Sequence, residues 1–302
     1  MPTPAPHESS APQRVVHMLS FDVEEYFQVE AAAEAGLSPD QWSSFPKRLP
    51  PAVDCILELL ADAKVSATFF VLGWVAKHEP QIVRTIAQAG HEIASHGITH
   101  TMLTRLTPQQ FRRELTDSRR LLQDISSQPI VGYRAATFSI LRRTAWAFDV
   151  LAEEGFIYDS SVYPVSHDRY GIPDAPRHIH RAIGPAGRSV LEIPPLTLRL
   201  LRRNWPVGGG GYLRLFPIQV IGQALRASQA ASHPAMLYMH PWELDPAQPP
   251  LPMARLSTFR HRIGLARTEK KLRWLLNRFP FASVQDRLDS LNETTVQQYN
   301  PD

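Results

Sequence analysis

Cysteine is almost missing from this chain, since Cys55 stands alone among 302 residues. A disulfide within the chain is therefore excluded, and the apolar helical pattern around Cys55 favours a small buried residue. Long hydrophobic runs are also missing, so no membrane-spanning helix is predicted. The first ten residues lack the basic and apolar regions of a secretory signal. We expect residues 1–14 to form a disordered arm on a cytoplasmic protein.

Neither sign of charge is in large excess. Thirty-two Lys and Arg residues against 29 Asp and Glu residues give a net charge of +3, which permits an anionic partner without requiring one. We expect no nucleic-acid partner. The hydrophobic share of 43% is ordinary for a globular protein, and this length can bury the core of one large domain or of two smaller ones.

Strand-like and helical segments alternate along the chain. The hydrophobic pattern predicts strands at 15–21, 67–72, 91–94, 130–133, 155–158, 191–193 and 236–239, and helices at 52–63, 80–89, 107–125 and 143–153. This alternation implies an α/β fold with a parallel sheet and right-handed crossovers. With so many β/α units, a distorted (β/α) barrel is favoured over an open sheet.

The chemically informative residues follow the predicted strands. Side chains at the carboxyl ends of barrel strands converge on one mouth, which is the catalytic face of such folds. The residues in this position are Asp22, Glu24, His96, Arg134, Asp159 and His240.

A pair of histidines, His96 and His100, is the strongest single signal. Four residues apart in one turn, both imidazoles can reach one ion. Two histidines and a carboxylate from the acidic cluster 22–25 would form a three-ligand catalytic metal site with open positions. Zinc is favoured, while Co²⁺, Ni²⁺ and Fe²⁺ also fit such a site. Solvated histidines without a metal are the plain alternative.

Three segments carry a family resemblance between residues 15 and 242. They are Asp-Val-Glu-Glu-Tyr-Phe-Gln-Val at 22–29, Gly-Gly-Gly-Tyr-Leu-Arg at 209–214 and Tyr-Met-His-Pro-Trp-Glu at 238–243. The chain resembles the polysaccharide deacetylase family, also called the NodB-homology family or carbohydrate esterase family four. It is most similar to the subgroup found with exosortase and exopolysaccharide loci.

The resemblance implies a NodB-type barrel with a C-terminal extension and a metal-dependent N-deacetylase. Glu24, His96 and His100 would bind the metal, and Asp22 would be the general base. The exchange of roles between Asp22 and Glu24 stays open, because Val23 separates two acidic residues that are adjacent aspartates in most members.

The remaining catalytic roles are also implied by the resemblance. Arg134 would orient Asp22 or a neighbouring carboxylate, and the N–H of Thr137 would help to bind the oxyanion. The proline usual after this arginine is missing here. His240 would be the general acid, with Asp159 raising its pKa. Turn formation is the alternative role of Asp159.

Three aromatic residues, Tyr163, Tyr212 and Trp242, are candidate platforms for sugar rings, although packing in the core is the commoner role of such residues. The glycine run 208–211 lacks the Lys-Ser/Thr of a phosphate-binding loop and is interpreted as a flexible rim loop. The segment 260–279 predicts an amphipathic helix with Leu265, Leu272, Leu275 and Phe279 on one face. Its basic face is either solvated or a peripheral membrane contact.

These observations predict a disordered arm at 1–14, one catalytic domain at 15–285 and a tail at 286–302. The domain has a core at 15–165 and 186–245, with a family-specific extension within 166–285. The expected substrate is an N-acetylated glycan of an exopolysaccharide or its lipid-linked precursor. Hydrolysis of another C–N bond, as in a cyclic amide, and a non-catalytic glycan-binding protein are the alternatives.

Overall fold

The computed structural model describes residues 15–292 and 297–301, so the arm predicted at 1–14 lies outside the described residues. The strands are β1 His17–Val23, β2 Thr68–Val71, β3 Glu92–Ser95, β4 Gly132–Tyr133, β5 Tyr158–Asp159, β6 His180–Ile183, β7 Ser189–Glu192, β8 Thr197–Leu200, β9 Arg203–Pro206, β10 Met236–Met239, β11 Phe281–Ala282 and β12 Gln298–Tyr299. The helices are α1 Glu30–Glu34, α2 Leu49–Ala63, α3 Gly73–His78, α4 Pro80–Gln88, α5 Pro108–Ser126, α6 Trp146–Glu153, α7 Gly210–Leu215, α8 Ile218–Ala230, α9 Arg255–Arg262, α10 Thr268–Leu276 and α11 Leu288–Asn292.

Seven parallel strands form the centre of the molecule, in the order β10-β1-β2-β3-β4-β5-β7. The chain just after β7 returns to β10 through a parallel bridge between Pro195 and Met236, and the N–H of Leu196 donates to the Met236 carbonyl. This bridge joins the two ends of the sheet into a distorted ring. The α/β class predicted from the sequence is confirmed.

The central strands are buried on both faces, which explains their continuous apolar sequences. Every residue of β1 and β2 is buried, and the rings of Phe21 and Phe69 stack with centroids 5.1 Å apart. The crossover helices cover the ring. The longest, α5, begins at a capping box in which Thr107 and Gln110 satisfy each other's backbone N–H groups. The strands therefore hold their carboxyl ends rigidly at one edge.

The segment 260–279 is not one helix. Helices α9 and α10 are separated by Gly264, which has a φ of +72°, and by a short 3-10 turn at Leu265–Arg267. A Cβ atom at Gly264 would lie 2.8 Å from the Arg214 carbonyl, so close packing against α7 fixes the break. The four predicted apolar residues of this segment are buried nonetheless.

Several short elements in the proline-rich parts of the chain were not predicted. Strand β6 pairs in the antiparallel sense with β7, which the sequence predicted at 191–193, and β8 and β9 form a separate hairpin. The segment assigned to a tail contributes α11 and β12, which pairs with β6 through Gln298 and Arg181. Within the described residues, no helix combines the length and apolar character needed to cross a bilayer.

Candidate active site

A pocket of about 220 Å³ opens where the parallel strands end. It brings together residues that are far apart in the sequence because the carboxyl ends of β1, β3, β4 and β10 lie side by side. Among the predicted site residues, the ones that line this pocket are Asp22, Glu24, His96, His100, Thr137, His240 and Trp242.

Glu24, His96 and His100 form a compact cluster in the pocket. One potential ligand atom from each lies within 4.8 Å of the others, and Glu24 Oε2 is 2.9 Å from His100 Nε2. His96 Nδ1 is 2.7 Å from the Arg134 carbonyl, which leaves its Nε2 for the pocket. Glu24 Oε2 is buried, and among the described residues it has no hydrogen-bonding contact besides the one with His100 Nε2. Two imidazoles and a buried carboxylate oxygen that meet in one pocket fit a divalent metal.

Glu25, the other glutamate of the acidic cluster, points away from the histidines. Its Oε1 accepts hydrogen bonds from the backbone N–H groups of Arg48 and Leu49 at the start of α2. Burial raises the pKa of Glu25 to about 7, against the effect of these hydrogen bonds. Glu25 therefore accepts hydrogen bonds from the start of α2. Glu24 is the glutamate of the acidic cluster that faces His100.

Asp22 lies beside the cluster, held by a buried arginine. Arg134 Nη1 donates to Asp22 Oδ1 at 2.6 Å, and the Arg134 guanidinium lies 4.1 Å from the Phe70 ring centroid. Arg134 also donates to both oxygens of Ser160 and to Ser20 Oγ. Each guanidinium nitrogen has a partner, so the position of Asp22 is fixed. Its second oxygen, Oδ2, lies 3.8 Å from His240 Nε2.

His240 sits across the pocket and is held by Glu243. Its Nδ1 is 2.6 Å from Glu243 Oε1, while Glu243 Oε2 accepts from Arg214 Nε at 2.6 Å. Burial opposes the charge on His240, yet the hydrogen bond to Glu243 and the nearby Glu24 raise its pKa to about 9. The imidazolium form is therefore the stable one at neutral pH.

The predicted partnership of Asp159 with His240 is wrong. Asp159 is fully buried, accepts hydrogen bonds from the backbone and side chain of Ser161, and lies against Glu192. Ser161 Oγ in turn accepts from the N–H of Ala135, at the start of the loop that carries Thr137. Asp159 thus supports that loop, and Glu243 takes the place assigned to it beside His240.

The electrostatics of the cluster give His96 and Glu24 the protonation states of metal ligands, whereas the pKa of His100 is shifted in the opposite direction. Burial lowers the pKa of His96 to about 4, so this imidazole is neutral, as a metal ligand must be. Burial would raise the pKa of Glu24, but the charge of His100, its hydrogen bond to Glu24 and the charge of His240 lower it overall. Burial likewise acts against the charge on His100, and Glu24 outweighs it and raises the pKa of His100.

The three predicted sugar platforms have different fates. Trp242 lines the pocket, donates from Nε1 to Glu24 Oε1 at 3.2 Å and stacks on His240. Tyr163 is fully buried, with its hydroxyl bonded to the Leu196 carbonyl and the Gly208 N–H, so its prediction as a platform is wrong. Tyr212 lines a neighbouring cavity instead.

The glycine run is packed rather than a flexible rim loop. Gly209 forms a parallel bridge with Tyr238, and the N–H of Tyr238 donates to the Gly208 carbonyl. Helix α7 begins directly afterwards at Gly210. A Cβ atom at Gly209 would lie 1.8 Å from the Tyr238 carbonyl oxygen, which explains the glycine at this position.

Thr137 lines the pocket, and its backbone adopts the left-handed conformation with a φ of 54°.

Two further residues, Glu243 and Arg214, were given no role by the sequence reasoning. Both stand in segments that carry the family resemblance, and Glu243 follows His240 by three residues, a spacing that brings side chains together in a helical turn. That spacing was the signal that could have identified Glu243.

Comparison of the sequence with protein families gives two matches. Residues 40–152 match the polysaccharide deacetylase family, and residues 160–289 match a domain of unknown function, DUF3473. A chitooligosaccharide deacetylase from Rhizobium leguminosarum bv. trifolii is 38% identical over 103 residues, which are 34% of this chain and 45% of that protein. A peptidoglycan-N-acetylglucosamine deacetylase from Bacillus cereus is 25% identical over 76 residues, 25% of this chain and 36% of that protein. The matched region is therefore less than half the length of each of these relatives.

Solved structures support the fold. A candidate polysaccharide deacetylase from Mycobacterium smegmatis has a TM-score of 0.61 and 21% identity, covering 98% of this chain and 96% of the other. The Puue allantoinase structure has a TM-score of 0.55 and 15% identity, covering 98% and 99%. These likenesses agree with the distorted barrel predicted from the sequence. Residues 40–152 of this chain therefore match the polysaccharide deacetylase family, and predicted site residues from inside and outside this range line one pocket.

Proposed function

We propose that this protein is a metal-dependent hydrolase that removes N-acetyl groups from amino sugars of an exopolysaccharide or its lipid-linked precursor. One observation carries the proposal: the cluster of Glu24, His96 and His100 shares its pocket with Asp22 and with His240. The two relatives described above are named as deacetylases of chitooligosaccharides and of peptidoglycan N-acetylglucosamine. The subgroup associated with exosortase loci, suggested by the sequence, is part of this proposal.

A divalent cation held by Glu24, His96 and His100 would supply Lewis acidity and a water of lowered pKa. We propose zinc, since two imidazoles and a carboxylate suit it, and Co²⁺, Ni²⁺ and Fe²⁺ are the competing ions. The Nδ1 atom of His96 is engaged by the Arg134 carbonyl, so the ring presents Nε2 in a fixed direction.

Asp22 is the proposed general base. Arg134 holds Oδ1 at 2.6 Å, and the other oxygen is free to accept a proton from a water that attacks the acetyl carbonyl. Arg134 acts through Asp22 and is a positioning residue. The N–H of Thr137 is the proposed oxyanion donor, in a loop supported by Ser161 and Asp159.

His240 is the proposed general acid. Its Nδ1 is occupied by Glu243, and its Nε2 lies within 3.8 Å of both Asp22 Oδ2 and Glu24 Oε1, on the pocket side. The charged imidazole can therefore donate a proton from Nε2 to the departing amine as the C–N bond breaks. Glu243, neutralised in part by Arg214, keeps the imidazole charged and oriented.

The direct test is acetate release by the purified, zinc-loaded protein from N-acetylated chitooligosaccharides and peptidoglycan fragments. We expect acetate and a free amine in equal amounts, and loss of both in His96→Ala. A surface substitution such as Lys64→Ala is the matched control and should keep full activity. Ring-opened product from a cyclic amide without acetate release would favour the alternative hydrolase. Tight glycan binding without any product would favour a non-catalytic protein.

Three finer points stay predictions. They are the exopolysaccharide substrate, the lipid-linked form of that substrate and the cytoplasmic location. Assays that compare free polymer with lipid-linked saccharide would test the first two. Fractionation of cells that express the full-length protein would test the third, with recovery outside the cytoplasm contradicting it.

A further inference from the structure

Large exposed apolar side chains are concentrated in three elements. Of the seven found among residues 15–292 and 297–301, six lie in the β8–β9 hairpin, in α7 or in α9. These six are Leu200, Leu201, Trp205, Leu215, Leu256 and Phe259. Scattered exposed apolar residues need no explanation, but a concentration of this kind marks an interaction surface.

Two of the three elements border the active-site pocket, and the hairpin lies next to one of them. Helices α7 and α9 both line the pocket and are joined by hydrogen bonds from Arg214 to the carbonyls of His261 and Ile263. The hairpin adjoins α7 through a second cavity lined by Trp205 and Tyr212. We name the hairpin, α7 and α9 together the rim, defined as residues 197–215 and 254–262.

The rim carries positive charge only. Residues 197–215 and 254–262 include seven arginines and no aspartate or glutamate. In the part of the chain that the structure describes, no carboxylate forms an ion pair with Arg199, Arg202, Arg203 or Arg255. Asp168 lies outside the rim, 3.9 Å from Arg260 and paired with His167.

The tip of the β8–β9 hairpin exposes leucine side chains to solvent, and its turn has an unfavourable backbone conformation. Leu200 and Arg203 pair across the hairpin, so Leu201 and Arg202 form a two-residue turn with φ values of 50° and 63°. Such turns favour Asn and Gly, because a positive φ is unfavourable for other residues. Leu201 is nevertheless 86% exposed, so the side chain at the tip contributes almost nothing to the core.

We propose that the rim docks on an anionic lipid bilayer and brings the pocket to the level of the headgroups. Leu201, Trp205 and Phe259 would enter the interface, while the unpaired arginines would bind lipid phosphates. A second copy of the chain is disfavoured as the occupant, since a two-fold contact would press two positive rims together. A soluble polyanion would use the arginines but leaves the protruding leucines unexplained.

The test is co-sedimentation with vesicles of phosphatidylcholine alone and of phosphatidylcholine with 30% phosphatidylglycerol, a composition chosen to be roughly that of an anionic leaflet. We expect binding to the anionic vesicles that weakens with salt. Leu201→Ser and Phe259→Ser should each weaken binding about tenfold, as expected for withdrawing a large apolar side chain from the interface. Arg202→Gln should weaken it roughly fivefold.

Ile157→Ser is the matched control. Ile157 is also exposed, at 42%, but it precedes β5 and lies at the opposite end of the ring from the pocket. Equal weakening by Ile157→Ser, or no binding of the unmodified protein to anionic vesicles, would overturn the proposal. A dimer in light scattering that Leu201→Ser dissociates would also overturn it. Vesicle binding does not depend on catalysis. A protein that binds anionic vesicles but releases no acetate would therefore contradict only the proposed function.

Discussion

Replacing Asp22 with asparagine separates proton transfer from metal binding, the two roles that the sequence left exchangeable. Asparagine keeps an oxygen that can accept the 2.6 Å hydrogen bond from Arg134, but it cannot take a proton from water. Glu24→Gln is the matched change, since it removes the charge from the oxygen that lies 2.9 Å from His100 Nε2. Each variant changes one carboxylate to an amide of the same size.

The expected magnitudes differ in kind. Loss of a general base lowers kcat/KM by about 10²–10⁴-fold, which equals roughly 3–5 kcal/mol of transition-state stabilisation. Asp22→Asn should show this loss with full metal content. Glu24→Gln should lose most of the metal, because an anionic ligand is replaced by a weak neutral one.

The assay combines acetate release with metal analysis of the dialysed protein. Thermal unfolding of both variants is the control, because Asp22→Asn removes a charge opposite the fully buried Arg134 and should lower stability. Activity and metal content should be measured well below the melting temperature of the less stable variant. A metal-free Asp22→Asn protein together with a metal-loaded Glu24→Gln protein would refute our assignment and exchange the two roles.

Three further predictions rest on particular contacts. Glu243→Gln removes the charge that raises the pKa of His240, so the alkaline limb of the pH–rate profile should move to lower pH; an unmoved limb would show that Glu243 does not tune His240. Gly209→Ala should destabilise the fold by several kcal/mol, about the cost of severe overpacking, because its Cβ would strike a carbonyl of β10. Gly211→Ala, with nothing closer than 3.8 Å, should unfold close to the original temperature, and equal losses would contradict the steric argument. Burial lowers the pKa of His17 to about 4, so the unfolded chain binds the extra proton below pH 6.5, and the free energy of unfolding should fall by about 3 kcal/mol from pH 6.5 to 4. His17→Asn should flatten this slope in denaturant titrations, and an unchanged slope would assign it to other groups.

The positions of the central strands and their crossover helices could be predicted from the local pattern of apolar and polar residues. Continuous apolar runs such as 67–72 and the spacing of helix signals such as Thr107 and Pro108 depend on neighbours in sequence, and each of these elements is found within a few residues of its expected place. The short strands β8 and β9 have no comparable apolar pattern in their sequences. Arginines and an exposed leucine occupy them, so their pairing is set by the hairpin geometry.

The local sequence pattern gave wrong predictions where packing against distant residues determines the structure. The apolar face at 260–279 keeps its period, yet Gly264 is pressed against the Arg214 carbonyl and divides the helix. Tyr163 was predicted as a candidate sugar platform, whereas its hydroxyl is hydrogen-bonded to two backbone groups in the interior. In each case the deciding neighbour lies far away in the sequence.

The sequence by itself determined the α/β ring, the placing of acidic and histidine residues after strands, and the pair of histidines in one turn, because these depend on residue type and short spacing. Only the tertiary structure decided the partners of those residues. It placed Glu243 rather than Asp159 beside His240, directed Glu25 to the start of α2, and brought the apolar and basic rim to one side of the pocket. These choices depend on which distant groups share a buried volume, where each charge and each hydrogen-bonding atom must find its partner.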